Sequence, residues 1–208
     1  MDNLTTWDTF VLISDDGQET VSTRWVVLKK DENATRARLV AWGYEEKLDV
    51  PVDSPTISKD ILRILFAIIQ SKGWELQSTD VKSAFLQGRE LQGEVLLKPP
   101  PNLNASGFLM KLRTALYGFN DAWLQWFLRF KEVMMKDLKC NQSEIDPALY
   151  MKYDKHGNLS GVVGTHIDDF LHAGNAQFEK SVISSFQKIF KMGLIQRQQF
   201  KCIGFEWE

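Results

Sequence analysis

Three aspartates are the residues of this chain best placed to do chemistry: Asp80 and the adjacent pair Asp168-Asp169. Asp80 ends an apolar-patterned stretch, and the pair stands between the apolar runs Leu159–His166 and Phe170–His172. Adjacent carboxylates repel, so placing them at a β-turn costs stability unless cations neutralise them. Hard divalent ions such as Mg²⁺ take oxygen ligands, often a few protein carboxylates plus substrate phosphates. Phosphoryl transfer with two such ions needs carboxylates that bridge both. One ion activates the attacking hydroxyl and the other stabilises the leaving oxygen. A lone Asp-Asp is by itself only a polar turn. Here the apolar flanks, and a second strand-terminal acid 88 residues upstream, point beyond a turn to a metal site.

The elements that must position these acids follow from periodicity and punctuation. Val21–Lys30 is rich in β-branched residues, and Arg36–Trp42 follows after the polar break Asp31–Thr35, which predicts a hairpin carrying basic side chains. Arg36 and Arg38 are two apart in its second strand, so both guanidinium groups project from one face. After the breaks at Pro51 and Pro55, Ser58 can cap a helix to about Gly73, with Ile61, Leu62, Leu65, Ile68 and Ile69 at helical spacing. Trp74–Asp80 is predicted as a strand, Lys82–Leu86 as a short helical turn, and Glu94–Lys98 as a strand before the loop Pro99-Pro100-Pro101. Phe108–Arg113 is a further strand, and Ala122–Lys139 a helix with Trp123, Trp126, Phe127, Phe130, Val133 and Met134 along one side. Ala148–Tyr153 and Leu159–His166 form a hairpin about the turn 154–158. Asn175 caps a helix to about Phe190, and Phe200–Trp207 is a last strand. Strands and helices alternate irregularly, so the expected class is α+β: a mixed, largely antiparallel sheet with helices packed on one face.

Composition bounds the partners. Hydrophobic content of 44% with 25% charged residues is that of a folded globular chain. The formal charge of -2 hides an uneven distribution. Residues 1–20 carry five acids and no Lys or Arg, and are expected to be a flexible acidic lead-in, while segments 21–40 and 111–140 are each +3. Either patch alone reads first as a solvated face. The longest apolar run, Ile64–Ile69, is too short to span a bilayer, so no membrane partner is expected. Cys140 and Cys202 form neither a metal-type CxxC pair nor a disulfide framework, which fits a reducing, intracellular setting.

Asp80-Val81-Lys82-Ser83-Ala84-Phe85-Leu86-Gln87-Gly88 resembles the first catalytic motif of copia-type reverse transcriptases, in which an aspartate opens a D-[VI]-K-x-A-F-L-x-G string. The resemblance is collinear on both sides. Thr35–Tyr44 is similar to the family's K-A-R-L-V-A-R-G segment, and Asp53–Thr56 to its P-x-x-S/T segment. Leu116–Ala122 resembles the Y-G-L motif, Gln125-Trp126-Phe127 its Q-W-Y continuation, and Asp146–Tyr150 also fits. His166-Ile167-Asp168-Asp169 falls where the family has Y-V-D-D, with His similar to one animal branch, as is Phe170–Gly174. Phe200–Glu208 looks like the hairpin that follows. The match runs from about residue 20 to residue 207.

The resemblance implies a right-hand polymerase fold, with residues 21–208 as fingers and palm, and RNA-directed DNA synthesis by attack of a primer 3′-hydroxyl on a deoxynucleoside triphosphate. It implies two Mg²⁺ ions (Mn²⁺ as substitute) held by Asp80, Asp168 and Asp169 with the Val81 carbonyl. Arg36, Arg38, Ala84 and Phe85 would meet the nucleotide, Phe85 as an aromatic gate beneath the deoxyribose, although Phe85 as plain core and Arg38 as a surface charge remain open. His166, Ile167, Tyr117 and Gly118 would touch the primer and template; His166 packed on its hairpin is the alternative. The partners implied are an RNA or DNA template with primer and the rest of a retrotransposon polyprotein, in a cytoplasmic virus-like particle or the nucleus.

Some residues depart from the family. Trp42 stands where Arg is usual, and Trp123-Leu124 where a small residue or Pro and then Arg are common. Each Arg lost from a phosphate contact costs about 1.5–3 kcal/mol. No ribonuclease H, integrase or protease region is visible, so the expectation is a truncated piece of such a polyprotein or a decayed or host-adopted copy. The alternative function is therefore a catalytically faded nucleic-acid-binding module. A third is a metal hydrolase that uses the same acids on another fold.

Overall fold

The structure, a computed structural model, describes residues 8–29, 35–45, 53–91, 93–100, 103–197, 199–202 and 205–207. Expectations that fall on residues 1–7, 30–34, Pro51, Pro101, Glu208 or the Arg36 side chain lie outside the described residues. In chain order the elements are β1 (Phe10–Ser14), β2 (Thr23–Lys29), β3 (Thr35–Ala41), α1 (Lys59–Lys72), β4 (Gln77–Asp80), β5 (Leu96–Leu97), β6 (Phe108–Leu112), α2 (Ala122–Glu132), β7 (Asn141–Gln142), β8 (Leu149–Tyr153), β9 (Leu159–His166), β10 (Asp169–Gly174), α3 (Ala176–Phe178), α4 (Ser184–Ile189), β11 (Gln196–Arg197), β12 (Phe200–Cys202) and β13 (Phe205–Trp207). Wider π-helical turns extend α2 over Val133–Asp137 and join α3 to α4 over Glu179–Ile183. The chain divides into two compact units, residues 1–53 with 85–128, and residues 54–84 with 129–208.

In the first unit β1, β6 and β5 form an antiparallel sheet, and β2 and β3 a hairpin in which Thr23 faces Ala41 and Lys29 faces Thr35. The strand β1 corrects the expected flexible lead-in: Phe10–Ser14 pairs along its whole length with Phe108–Leu112. Its partner lies far along the chain, so nothing local announced the ladder. Tyr117 and Gly118 add to the edge of β3. Val40 and Tyr117 form a parallel bridge, and the Ala41 N–H donates to the Tyr117 carbonyl at 2.8 Å. Gly118 has φ +95°, and a Cβ there would run into the Ala41 carbonyl, so glycine is required on two counts.

The second unit is built on a six-stranded antiparallel sheet of order β11-β4-β10-β9-β8-β7. The helix α1 begins and ends where its caps stand. The Ser58 hydroxyl accepts from the Ile61 N–H, and Gly73, at φ 63°, closes the last turn. Its buried side chains Leu62, Leu65 and Ile69 pack with Val162, Leu171 and Ala173 on one face of the sheet. Side chains alternate along a strand, so Phe170 lies on the opposite face. There it meets Phe186 of α4 at 5.1 Å and Phe130 of α2 at 6.2 Å, while the Phe178 ring lies over Gly161 and Gly174. Helices therefore cover both faces, not one as the sequence reading expects. The physical reason is in β9 and β10, where Ser160–Thr165 and Phe170–Ala173 are buried without alternation and so need cover on both sides.

The class is α+β with antiparallel ladders, distributed over several sheets and not gathered into one mixed sheet. The expected last strand is a hairpin of β12 and β13. Among the described residues, no helix is long and apolar enough to cross a membrane.

Candidate functional site

The two acid-bearing segments meet side by side. Asp80 is the last residue of β4, Asp169 the first of β10, and the two are direct partners in the antiparallel register. Direct partners share a face, with Cβ atoms about 4.5–5.5 Å apart. His166, at the end of β9, is the partner of Asp169 on its other side. One row across three strands thus reads His166, Asp169, Asp80. Asp168 occupies the hairpin turn with Ile167, which sits at φ 62°. A β-branched residue in the left-handed region is strained, and such strain persists only where its surroundings hold it. The hold is visible: the Val81 N–H donates to the Asp168 carbonyl at 2.9 Å and ties the turn to the residue after Asp80.

Asp80 is fixed from below as well. The Gly193 N–H donates to the Asp80 carbonyl at 2.8 Å, and a Cβ on Gly193 would collide with the Asp80 carboxylate. Asp80 is exposed, and His166, Ile167, Asp168 and Asp169 are half-buried, so solvent reaches the row. Burial pushes the Asp169 carboxyl above the usual aspartate range, the charges of Asp168 and Asp80 push it further, and the His166 imidazole pulls it back. Asp169 therefore feels both neighbouring carboxylates, and a bound cation would relieve that repulsion. Among the described residues, no three His, Cys, Asp or Glu side chains are drawn close enough to hold a metal ion as they stand. The donor set, all carboxylate oxygen with a neighbouring backbone carbonyl at Val81, fits a hard divalent ion. The acids are gathered but not closed into a coordination shell.

The remaining predicted site residues fall mostly in the first unit. The Arg38 guanidinium lies 4.6 Å over the Tyr117 ring, and its Nε is buried without a hydrogen-bond partner. Tyr117 in turn meets Phe85 edge-on at 4.9 Å, and Phe85 meets Trp123 edge-on at 4.3 Å. Arg38, Tyr117, Phe85 and Trp123 make one continuous stack. Arg36 pairs with Leu28 through the β3 backbone. Ala84 belongs to the second unit and is 2% exposed, so its methyl group serves the interior and only its backbone is left for a ligand. Trp42 is exposed and stacks on Tyr44 at 5.6 Å. The sequence reading missed two residues: Gly193 beneath Asp80, which no local pattern marks, and Trp123, expected along the core side of α2 yet 39% exposed and turned onto Phe85. The signal for Trp123 was its bulk where the family carries a small residue.

Residues 5–206 match the family described as reverse transcriptase (RNA-dependent DNA polymerase). The chain is 30% identical over 169 residues to the Retrovirus-related Pol polyprotein from transposon TNT 1-94 of Nicotiana tabacum, covering 76% of this chain and 12% of that protein. It is 31% identical over 166 residues to the Retrovirus-related Pol polyprotein from transposon RE1 of Arabidopsis thaliana, covering 74% and 11%. To the truncated transposon Ty1-A Gag-Pol polyprotein of Saccharomyces cerevisiae it is 24% identical, covering 68% and 12%. The chain thus spans about an eighth or less of the length of these relatives. The ordered motifs, the paired acid strands and a match over nearly all of its length carry one conclusion: the chain belongs to the reverse transcriptase (RNA-dependent DNA polymerase) family, as a copia-type domain of the kind found in retrotransposon Pol polyproteins.

Proposed function

We propose that the chain performs RNA-directed DNA synthesis as one segment of a retrotransposon Pol polyprotein, with the second unit as palm and the first as fingers. The observation that carries this reading is the register of Asp80 against Asp169, beside a turn that presents Asp168. Asp80, Asp168 and Asp169, with the Val81 carbonyl, would hold two divalent ions, magnesium or manganese, which when bound supply the positive charge that activates the primer 3′-hydroxyl and steadies the leaving pyrophosphate.

The chain's own residues do the positioning. The strained Ile167 turn and the Val81 N–H hold Asp168 forward. His166, half-buried in the same row, stands where a primer end would be met. Arg38 offers a guanidinium with a buried, unpartnered Nε for phosphate oxygens, with Arg36 beside it in sequence as the second cation. Phe85 excludes a 2′-hydroxyl by its bulk. Tyr117 and Gly118, at the edge of β3, line the template side. Catalysis of this kind rests on alignment and charge neutralisation. The substrates are deoxynucleoside triphosphates and a primed RNA or DNA template, and the reaction belongs in a cytoplasmic particle or the nucleus.

The test is primer extension on an RNA template with Mg²⁺ or Mn²⁺, with Asp168→Asn beside the wild type. Extension that needs the metal and is lost in the variant supports the reading. Wild-type protein that binds primer–template but never extends it, with either ion, overturns it in favour of a nucleic-acid-binding module.

A further inference from the structure

The ring of Phe85 is held on two sides, and the two walls come from different parts of the first unit. One wall is Tyr117, centroid to centroid 4.9 Å with planes at 64°. Tyr117 is itself immobilised: its carbonyl accepts from the Ala41 N–H, its backbone bridges Val40, and the Arg38 guanidinium covers its face. The other wall is Trp123, closer still at 4.3 Å and nearly perpendicular at 82°. Trp123 rides on the first turn of α2, whose start is anchored at the buried Asp121. The Asp121 carbonyl accepts from the Gln125 N–H and its carboxylate from the Gln125 side-chain amide, both at 2.9 Å.

A third feature separates the two walls. Trp123 is 39% exposed while Tyr117 is half-buried and Phe85 buried, so the indole is the wall more open to solvent. It is also the wall that can be removed without opening the hairpin, because its ring contact is made from a helix surface. An edge-to-face pair resists rotation of either ring, and each such pair contributes beyond its buried area. With both walls in place the Phe85 ring is braced on two sides. With Trp123 gone, Tyr117 is the one ring of this stack still against Phe85.

We propose that Trp123 is a positioning residue for Phe85, and that by fixing this ring it sets how strictly the site excludes a ribonucleotide. The proposal rests on the reading of Phe85 as the gate beneath the sugar. Trp123 touches neither substrate nor the reacting atoms; it acts through the ring it holds. The chemical consequence is on the 2′ substituent alone. A ring free to tilt admits the extra hydroxyl while leaving the triphosphate contacts as they were.

The experiment compares incorporation of a deoxynucleotide and the matching ribonucleotide, as the ratio of kcat/KM values, in wild type, Trp123→Ala, Trp123→Phe, Phe85→Ala and the Trp123→Ala/Phe85→Ala double variant. Thermal unfolding of each variant reports folding separately. Equilibrium binding of the two nucleotides to the primer–template complex supplies a second readout. Trp123→Ala is expected to lower the discrimination ratio about two- to tenfold, the scale of a lost aromatic pair. Trp123→Phe restores most of the ratio by keeping an edge contact. In the Phe85→Ala background the Trp123 change adds nothing. If Phe85→Ala relaxes discrimination but Trp123→Ala leaves the ratio untouched, the positioning role is wrong and the gate reading stands. If Phe85→Ala does not relax it either, the gate reading fails and takes the proposal with it. A wild type that neither extends a primer nor binds either nucleotide overturns both.

Discussion

Asp80 shows how much a single side chain depends on what lies under it. Its carboxylate occupies the space that a Cβ on Gly193 would fill, and the Gly193 N–H holds its carbonyl. Gly193→Ala should therefore displace the acid without removing it. A misplacement of about 1 Å costs on the order of a hundredfold in rate when alignment carries catalysis. The expected outcome is primer extension reduced by about that factor, with a melting temperature close to wild type; full activity in Gly193→Ala would show that Asp80 does not need that pocket.

Cys140 gives a second test at the same scale. Burial pushes its thiol from 9.0 up to about 11, while Lys152 pulls the other way. The folded value lies above the unfolded one, so this contribution to stability is complete below about pH 9 and is lost as pH rises toward about 11. The loss is on the order of 2–3 kcal/mol. Denaturant titrations from pH 8 to pH 11 should show it in the wild type and not in Cys140→Ala, whose stability would be lower at pH 8 and flatter above.

Among the elements, the join between α1 and β8 is held by one carboxylate. Asp146 is 6% exposed and accepts from the Ser58 N–H and the Ala148 N–H, both at 2.9 Å. The same residue thus satisfies the backbone where the helix begins and fixes the strand start. This gives the Asp146-Pro147-Ala148 stretch a structural meaning apart from chemistry. Asp146→Ala leaves the buried Ala148 N–H unpaired and frees the part-buried Ser58 N–H to water, and should cost about 1–3 kcal/mol, by the scale of one orphaned buried group. Urea unfolding measures it. A change below about 0.5 kcal/mol, the range of ordinary surface substitutions, would contradict the assignment.

The local grammar of these elements was legible. Ser58 and Gly73 bracket α1, Asn175 caps the helix that starts at Ala176, and Leu159–His166 is the strand expected. What failed was the pairing of β1 with β6 and the count of covered faces. Both depend on segments distant in sequence, and a five-residue edge strand carries too little alternation to announce a remote partner.

For the molecule as a whole, charge decides how it would meet its substrate. A formal charge of -2 is no attraction for nucleic acid, so any hold must come from the local excess over residues 21–40 and 111–140, each +3. Binding through such patches releases counterions from the phosphate backbone and reads no bases. Affinity for primer–template should fall linearly on a double-logarithmic plot against salt, with a slope of roughly -0.9 for each duplex phosphate neutralised. Unrelated sequences should give nearly the same slope. A salt-independent affinity would place the binding energy elsewhere.

Sequence alone determined the family, the order of its motifs and the caps of its helices, and it singled out three acids as candidates, because each is written in neighbouring residues or in a collinear set of them. Only the tertiary structure decided that Asp80 pairs with Asp169, that Gly193 lies beneath Asp80 and that Trp123 closes on Phe85. Those are contacts between residues far apart in the chain. Strand register and helix packing create them, and no local spacing encodes either.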